Sequence, residues 1–119
     1  MGSEIVLAKV EPGARGFPAL VAPWTRLLAG RARRAGLLVP AHVFGLAWSG
    51  AMSADRLRRL IPLLPDGLTE IYFHPATRDR FADSAPGYRY AAELAALTDP
   101  DVIALTRRPD VRLGGFSDF

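Results

Sequence analysis

Short apolar runs alternating with segments of helical period are the feature that most limits what this chain can fold into. Ile5 to Val10, closed by Pro12-Gly13, reads as a buried strand, and so does Val43 to Trp48 after Pro40. Thr69 to Phe73 is the clearest strand, β-branched and aromatic throughout, and Val111 to Phe116 reads as a last one. Between the first two, Pro18 to about Ala35 is helical in pattern: Leu20, Trp24, Leu27 and Leu28 share a face, Arg26, Arg31, Arg33 and Arg34 supply the polar side, and Gly36 suits a C-cap. Ser53 is a good N-cap for a helix carrying Leu57, Leu60, Ile61 and Leu64, which Pro62 should end or kink. Tyr88 to Leu97 is an Ala-rich helix. Asp99-Pro100-Asp101 gives an N-cap, a proline at N1 and an acid in the first turn of another, and Pro109 stops it. Strand, helix, strand, helix, strand, helices, strand implies α/β units with a mainly parallel sheet.

The chain has 119 residues, the size of one domain of about 100–150 residues. With 50% hydrophobic and 23% charged residues it is globular in character rather than disordered. No uncharged apolar stretch approaches the roughly 18 residues that a membrane span needs, and no basic-then-apolar leader opens the chain. The absence of cysteine excludes disulfides and thiolate metal sites, and the expected location is the cytoplasm. Net charge is +3, with 14 arginines and one lysine against 12 acids. That balance admits nucleic acid as a partner. The basic cluster at Arg26–Arg34, however, has no interleaved aromatics of the kind a single-strand binder uses, and it reads as the solvated face of a helix.

His42 and His74 are the two histidines. His74 follows the best strand in Ile71-Tyr72-Phe73-His74-Pro75, at the strand edge where parallel α/β folds gather their active sites, and it could move protons near neutral pH. The plainer reading is a ring satisfied by loop carbonyls. His42 stands ahead of the second strand, with no His-x-x-x-His and no paired acid to mark a metal site, and a partly buried structural role is its simpler reading. Trp48 offers a broad apolar face for stacking on a sugar, although tryptophans in such positions more often belong to the core. Ser49 has no Gly-x-Ser-x-Gly elbow around it. No GxGxxG, Walker loop or aspartate dyad is present.

Two segments, Val43-Phe44-Gly45-Leu46-Ala47-Trp48-Ser49-Gly50-Ala51-Met52 and Leu64-Pro65-Asp66-Gly67-Leu68-Thr69-Glu70-Ile71-Tyr72-Phe73-His74-Pro75-Ala76-Thr77, resemble the YdjC-like carbohydrate deacetylases, and within them the branch associated with hopanoid biosynthesis. The ending Val111-Arg112-Leu113-Gly114-Gly115-Phe116-Ser117-Asp118 resembles that family's closing strand. The resemblance implies a distorted (β/α) barrel that removes acetyl groups from N-acetylated sugars, using a divalent metal (zinc or magnesium) held by one aspartate and two histidines, with a second aspartate as base. Those metal-binding motifs lie in the family's amino-terminal half and are not found here, so no metal ligand is assigned in this chain. His74 matches the family's His-Pro segment and is the catalytic residue the resemblance implies, with Trp48, Tyr72 and His42 as substrate-binding candidates. The acid that the family carries before His42 is replaced by Ala41.

A (β/α) barrel takes about 250 residues, so 119 can supply roughly half of one, with a mainly parallel sheet and two open edges. The expectation is therefore a deacetylase half-barrel, inactive alone, that forms a homo-oligomer or joins a separate amino-terminal half. The alternatives are a non-catalytic interaction or scaffold protein using the half-barrel surface and, behind both, a small basic nucleic-acid binder.

Overall fold

A computed structural model describes residues 3–14 and 19–119, the side chains of residues 3, 4 and 19 aside. The expected helix start at Pro18 lies outside the described residues. The elements in chain order are α1 (Ser3–Val10), α2 (Ala22–Arg34), β1 (His42–Phe44), α3 (Ala54–Leu60), β2 (Thr69–Ile71), α4 (Tyr90–Thr98) and α5 (Pro100–Thr106). Three-residue 3-10 turns precede α2, follow β1 and α3, and close the chain at Phe116–Asp118. The fold is mixed α/β. Its two strands pair in parallel, His42 opposite Thr69 and Phe44 opposite Ile71, and α3 forms the crossover between them.

The helices around α3 build the core. Ser53 caps α3 by accepting the Arg56 N–H at 3.3 Å, and Leu57, Leu60 and Ile61 turn inward from it. Pro62 ends the α-helix as its missing donor requires, and the next turn tightens to 3-10. Asp99 caps α5 through the N–H groups of Asp101 and Val102, and Arg58 of α3 reaches the same carboxylate at 3.2 Å. The buried cluster joins Val6, Leu7 and Val10 of α1 to Leu57, Leu60 and Ile61, and extends to Phe44, Met52, Ala96 and Val102.

Two expected strands do not form. Ile5–Val10 lies within helix α1, where Val6, Leu7 and Val10 are buried and Ile5, Ala8 and Lys9 are exposed. That spacing of one and four is a helical face. An apolar run broken only by Lys9 lacks the alternation that would select a strand, so packing against α3 decides. Arg59 of α3 then donates to the Val10 carbonyl at 2.9 Å, satisfying an acceptor at the helix's open end. Arg56 also bonds Glu11 at 2.8 Å, and this guanidinium holds the Glu11 carboxyl below the ordinary carboxylate range. Val111–Gly115 forms neither helix nor strand, Phe116 opens the closing 3-10 turn, and Leu113 and Phe116 are exposed. Strand-forming side chains make no strand unless the segment pairs with a sheet edge, and this one pairs with neither β1 nor β2.

The second expected strand stops early. Gly45, at φ +112°, turns the chain after Phe44 into a 3-10 turn at Leu46–Trp48, beside the Tyr72 main chain. Helix α2 forms where its pattern predicts and closes with bonds from Gly36 N–H to Arg33 and from Leu37 N–H to Ala32. Its apolar face, however, does not reach the core: Leu20 is 92% and Trp24 59% exposed, Leu27 and Leu28 are exposed beside them, and no residue of the helix is buried. Arg26, Arg31, Arg33 and Arg34 are solvated as expected. Among the described residues no helix is long and apolar enough to cross a membrane.

This division between a packed and an unpacked face gives a direct stability contrast. Leu60→Ala should cost about 2–5 kcal/mol in urea denaturation, because Leu60 is fully enclosed. Leu27→Ala should stay within about 0.5 kcal/mol of the parent chain.

Candidate functional site

The site forms where the chain leaves β2. The Tyr72 N–H donates to the Phe44 carbonyl at 3.0 Å, continuing the parallel pairing one residue past the strand and fixing the direction of Tyr72-Phe73-His74. The next main-chain N–H in play, that of His74, donates to Oε2 of Glu93 at 2.5 Å. Glu93 sits on α4, 1% exposed, and its Oε1 accepts the Met52 N–H at 3.0 Å. One buried carboxylate therefore ties the exit of β2 to the loop between β1 and α3. A buried carboxylate is tolerable only when its oxygens are satisfied, and here each oxygen receives a main-chain donor.

The His74 ring lies against the same carboxylate. Its Nδ1 is 3.8 Å from Glu93 Oε2, is buried and has no hydrogen-bond partner. Its Nε2 is 2.6 Å from the Tyr72 hydroxyl. Tyr72 and Tyr88 meet the imidazole edge-on, at centroid distances of 4.5 and 5.0 Å. Tyr88 is in turn held over Gly50, whose φ is +73° and where any Cβ would collide with the phenol ring. The Arg89 N–H donates to the Gly50 carbonyl at 2.7 Å and pins the start of α4 to this loop. Behind Tyr88, Tyr90 packs on Phe81, and its hydroxyl accepts the Ala85 N–H at 2.8 Å. The result is an imidazole on a rigid edge, half-buried, with a carboxylate on one side and a phenol on the other.

The four candidate residues separate in space. His74 and Tyr72 come together at the carboxyl end of the parallel pair. His42 starts β1 and so lies at the opposite end of the sheet, stacked on Phe44 at 6.4 Å. Trp48 is buried in the core under the Arg56 guanidinium, 5.7 Å from the indole centroid. Its edge contributes to an open cleft with Glu11, Ser49, Ala51 and Arg56, and the lining of that cleft includes neither Tyr72 nor His74. Sequence reasoning missed Glu93 and Tyr88. Glu93 is the single charged residue of α4 and lies three residues from both Tyr90 and Ala96, which the structure buries with it, but no local pattern marks the acid as buried.

These residues do not compose a site for a divalent metal. Among the described residues no three His, Asp or Glu side chains converge to hold a cation, Glu93 is occupied by main-chain donors, and His74 Nε2 faces a hydroxyl. What the arrangement can do is hold one imidazole in a fixed orientation and move a proton at Nε2. Because the seat of Tyr88 depends on Gly50, Gly50→Ala should destabilise the chain by about 1–3 kcal/mol in chemical denaturation, with a change in the aromatic near-ultraviolet circular dichroism.

No curated protein and no solved structure matches the chain. A family model described as YdjC-like protein does match, over residues 5–108. The match takes in most of α1 and all of α2 to α5 with both strands, His74 and Glu93, and it ends before the segment at Val111 that had resembled a closing strand. The chain belongs to the YdjC-like protein family.

Proposed function

We propose that this chain supplies the His74 side of a carbohydrate deacetylase active site. The observation that carries the reading is the placement of His74 at the carboxyl edge of the parallel pair, with the buried Glu93 behind its ring. Hydrolysis of an N-acetyl group needs a proton on the departing nitrogen, because an amide nitrogen leaves as an amine and not as an anion. An imidazolium at Nε2 can donate that proton. Water contributes the oxygen of the acetate, and the C–N bond breaks as the nitrogen takes the proton from His74. Tyr72, beside Nε2, is suited to contact the sugar. Under this reading a divalent metal would be held by residues outside this chain, and no step at His74 depends on one. The resemblance of the segments at 43–52 and 64–77 to the hopanoid-associated branch supports an N-acetylated amino sugar connected with lipid synthesis as substrate.

On this reading the unit is a partial (β/α) barrel completed by other residues, whether from a separate amino-terminal half or a second copy. The exposed face of Leu20, Trp24, Leu27 and Leu28 supports such a completion, since a helix that buries nothing gains little from its apolar side. The same face supports the second reading, a non-catalytic interaction protein. Acetate release from N-acetylglucosamine oligomers with added zinc or magnesium separates the two. The expected result is no release by the 119 residues alone, and release once a YdjC-like amino-terminal half is added, lost again at least a hundredfold in His74→Ala. Tight association of the halves without acetate release, or release unaffected by His74→Ala, would overturn the catalytic reading.

A further inference from the structure

We infer that Glu93 is the positioning residue of His74, and that it fixes the ring as the tautomer with hydrogen on Nδ1, leaving the Nε2 lone pair for proton exchange. The catalytic consequence rests on the deacetylase reading, whereas the tautomer itself does not.

Two neutral tautomers are open to the ring, and its surroundings treat them differently. With hydrogen on Nδ1, the buried N–H lies beside Glu93 Oε2, whose 3.8 Å separation from Nδ1 is a through-space attraction longer than a hydrogen bond, and Nε2 accepts from the Tyr72 hydroxyl at 2.6 Å. Both ring nitrogens then face a group of opposite polarity. With hydrogen on Nε2, the Nδ1 lone pair would be buried without a donor and turned toward a carboxylate oxygen. That places two centres of negative charge together where water does not reach, the costly case for a buried polar atom. The carboxylate cannot turn away, because the N–H groups of Met52 and His74 hold its two oxygens. Nor can the ring easily rotate, clamped as it is by Tyr72 and Tyr88.

The consequence for proton transfer is a division of labour. In the imidazolium the Nδ1–H stays toward Glu93, and Nε2 gives its proton to the departing nitrogen as the C–N bond breaks, which returns the ring to the Nδ1–H tautomer. Glu93 faces the Nδ1 side of the ring and stabilises its imidazolium form. The Tyr72 hydroxyl occupies Nε2 in the absence of substrate and must give way, or pass the proton on, when substrate arrives.

The test is nitrogen-15 NMR of the histidine-labelled chain under conditions where its imidazoles are neutral, with His42→Gln used to assign the two rings. For His74, Nδ1 is expected at the pyrrole-type position and Nε2 far downfield at the pyridine-type position. Glu93→Gln should move the ring toward the opposite tautomer. Should that variant not fold, Tyr72→Phe decides the matter, since it removes the Nε2 partner at an exposed position and leaves the carboxylate in place. Retention of the Nδ1–H tautomer in Tyr72→Phe supports Glu93 as its cause. The inference is overturned by an Nε2–H tautomer in the parent chain, by its appearance in Tyr72→Phe, or by an unchanged spectrum in a folded Glu93→Gln. A chain with the expected tautomer that never yields acetate on reconstitution would defeat the deacetylase reading and leave the positioning role intact.

Discussion

A carboxylate with almost no access to water, Glu93, is the constraint on which the rest of the site depends. Its two oxygens accept from main-chain groups that are far apart in sequence, Met52 after β1 and His74 after β2. Hydrogen bonds to a charged group are worth roughly 1.5–3 kcal/mol each, about twice those between neutral partners. A parallel pair of three-residue strands is a weak structure by itself. Fastened from α4 at both of its exits, it becomes part of the helical core, and the loops at its carboxyl edge acquire one geometry.

The same fastening explains why a histidine can be held so exactingly on such a small frame. The imidazole is anchored through its own main chain to the oxygen that its Nδ1 faces, so ring and carboxylate move together. Tyr88 completes the seat from the start of α4, and it fits only because residue 50 has no side chain. The seat of the His74 ring thus rests on a glycine at 50, an acid at 93 and aromatic residues at 72 and 88. By contrast, Trp48 and His42 belong to other parts of the molecule. The first serves the core beside Arg56, and the second lies at the far end of the sheet.

Much of this was legible in the sequence where local rules decide. Ser53 and Asp99 cap the helices they precede, Pro62 ends α3, and Thr69 begins the strand that leads to His74. Legibility failed where a distant partner decides. Ile5–Val10 reads as a buried strand, and its contact with α3 makes it a helix instead. Val111–Phe116 has strand-forming residues but joins neither edge of the two-stranded sheet. The pattern of α2 correctly gives an amphipathic helix, but nothing local says whether its apolar face is covered, and here it is not. Glu93 was hidden for a related reason: an acid in a helix reads as solvent-facing until its acceptor oxygens are seen to meet two main-chain N–H groups.

Amide hydrogen exchange at Met52 and His74 tests the role of Glu93 most directly. If the carboxylate fastens both exits of the sheet, these two amides exchange as slowly as those of the α3 core, although neither lies within a helix or a strand. Rapid exchange at His74 alongside a protected α3 would contradict it, because the site would then open independently of the core that is held to organise it.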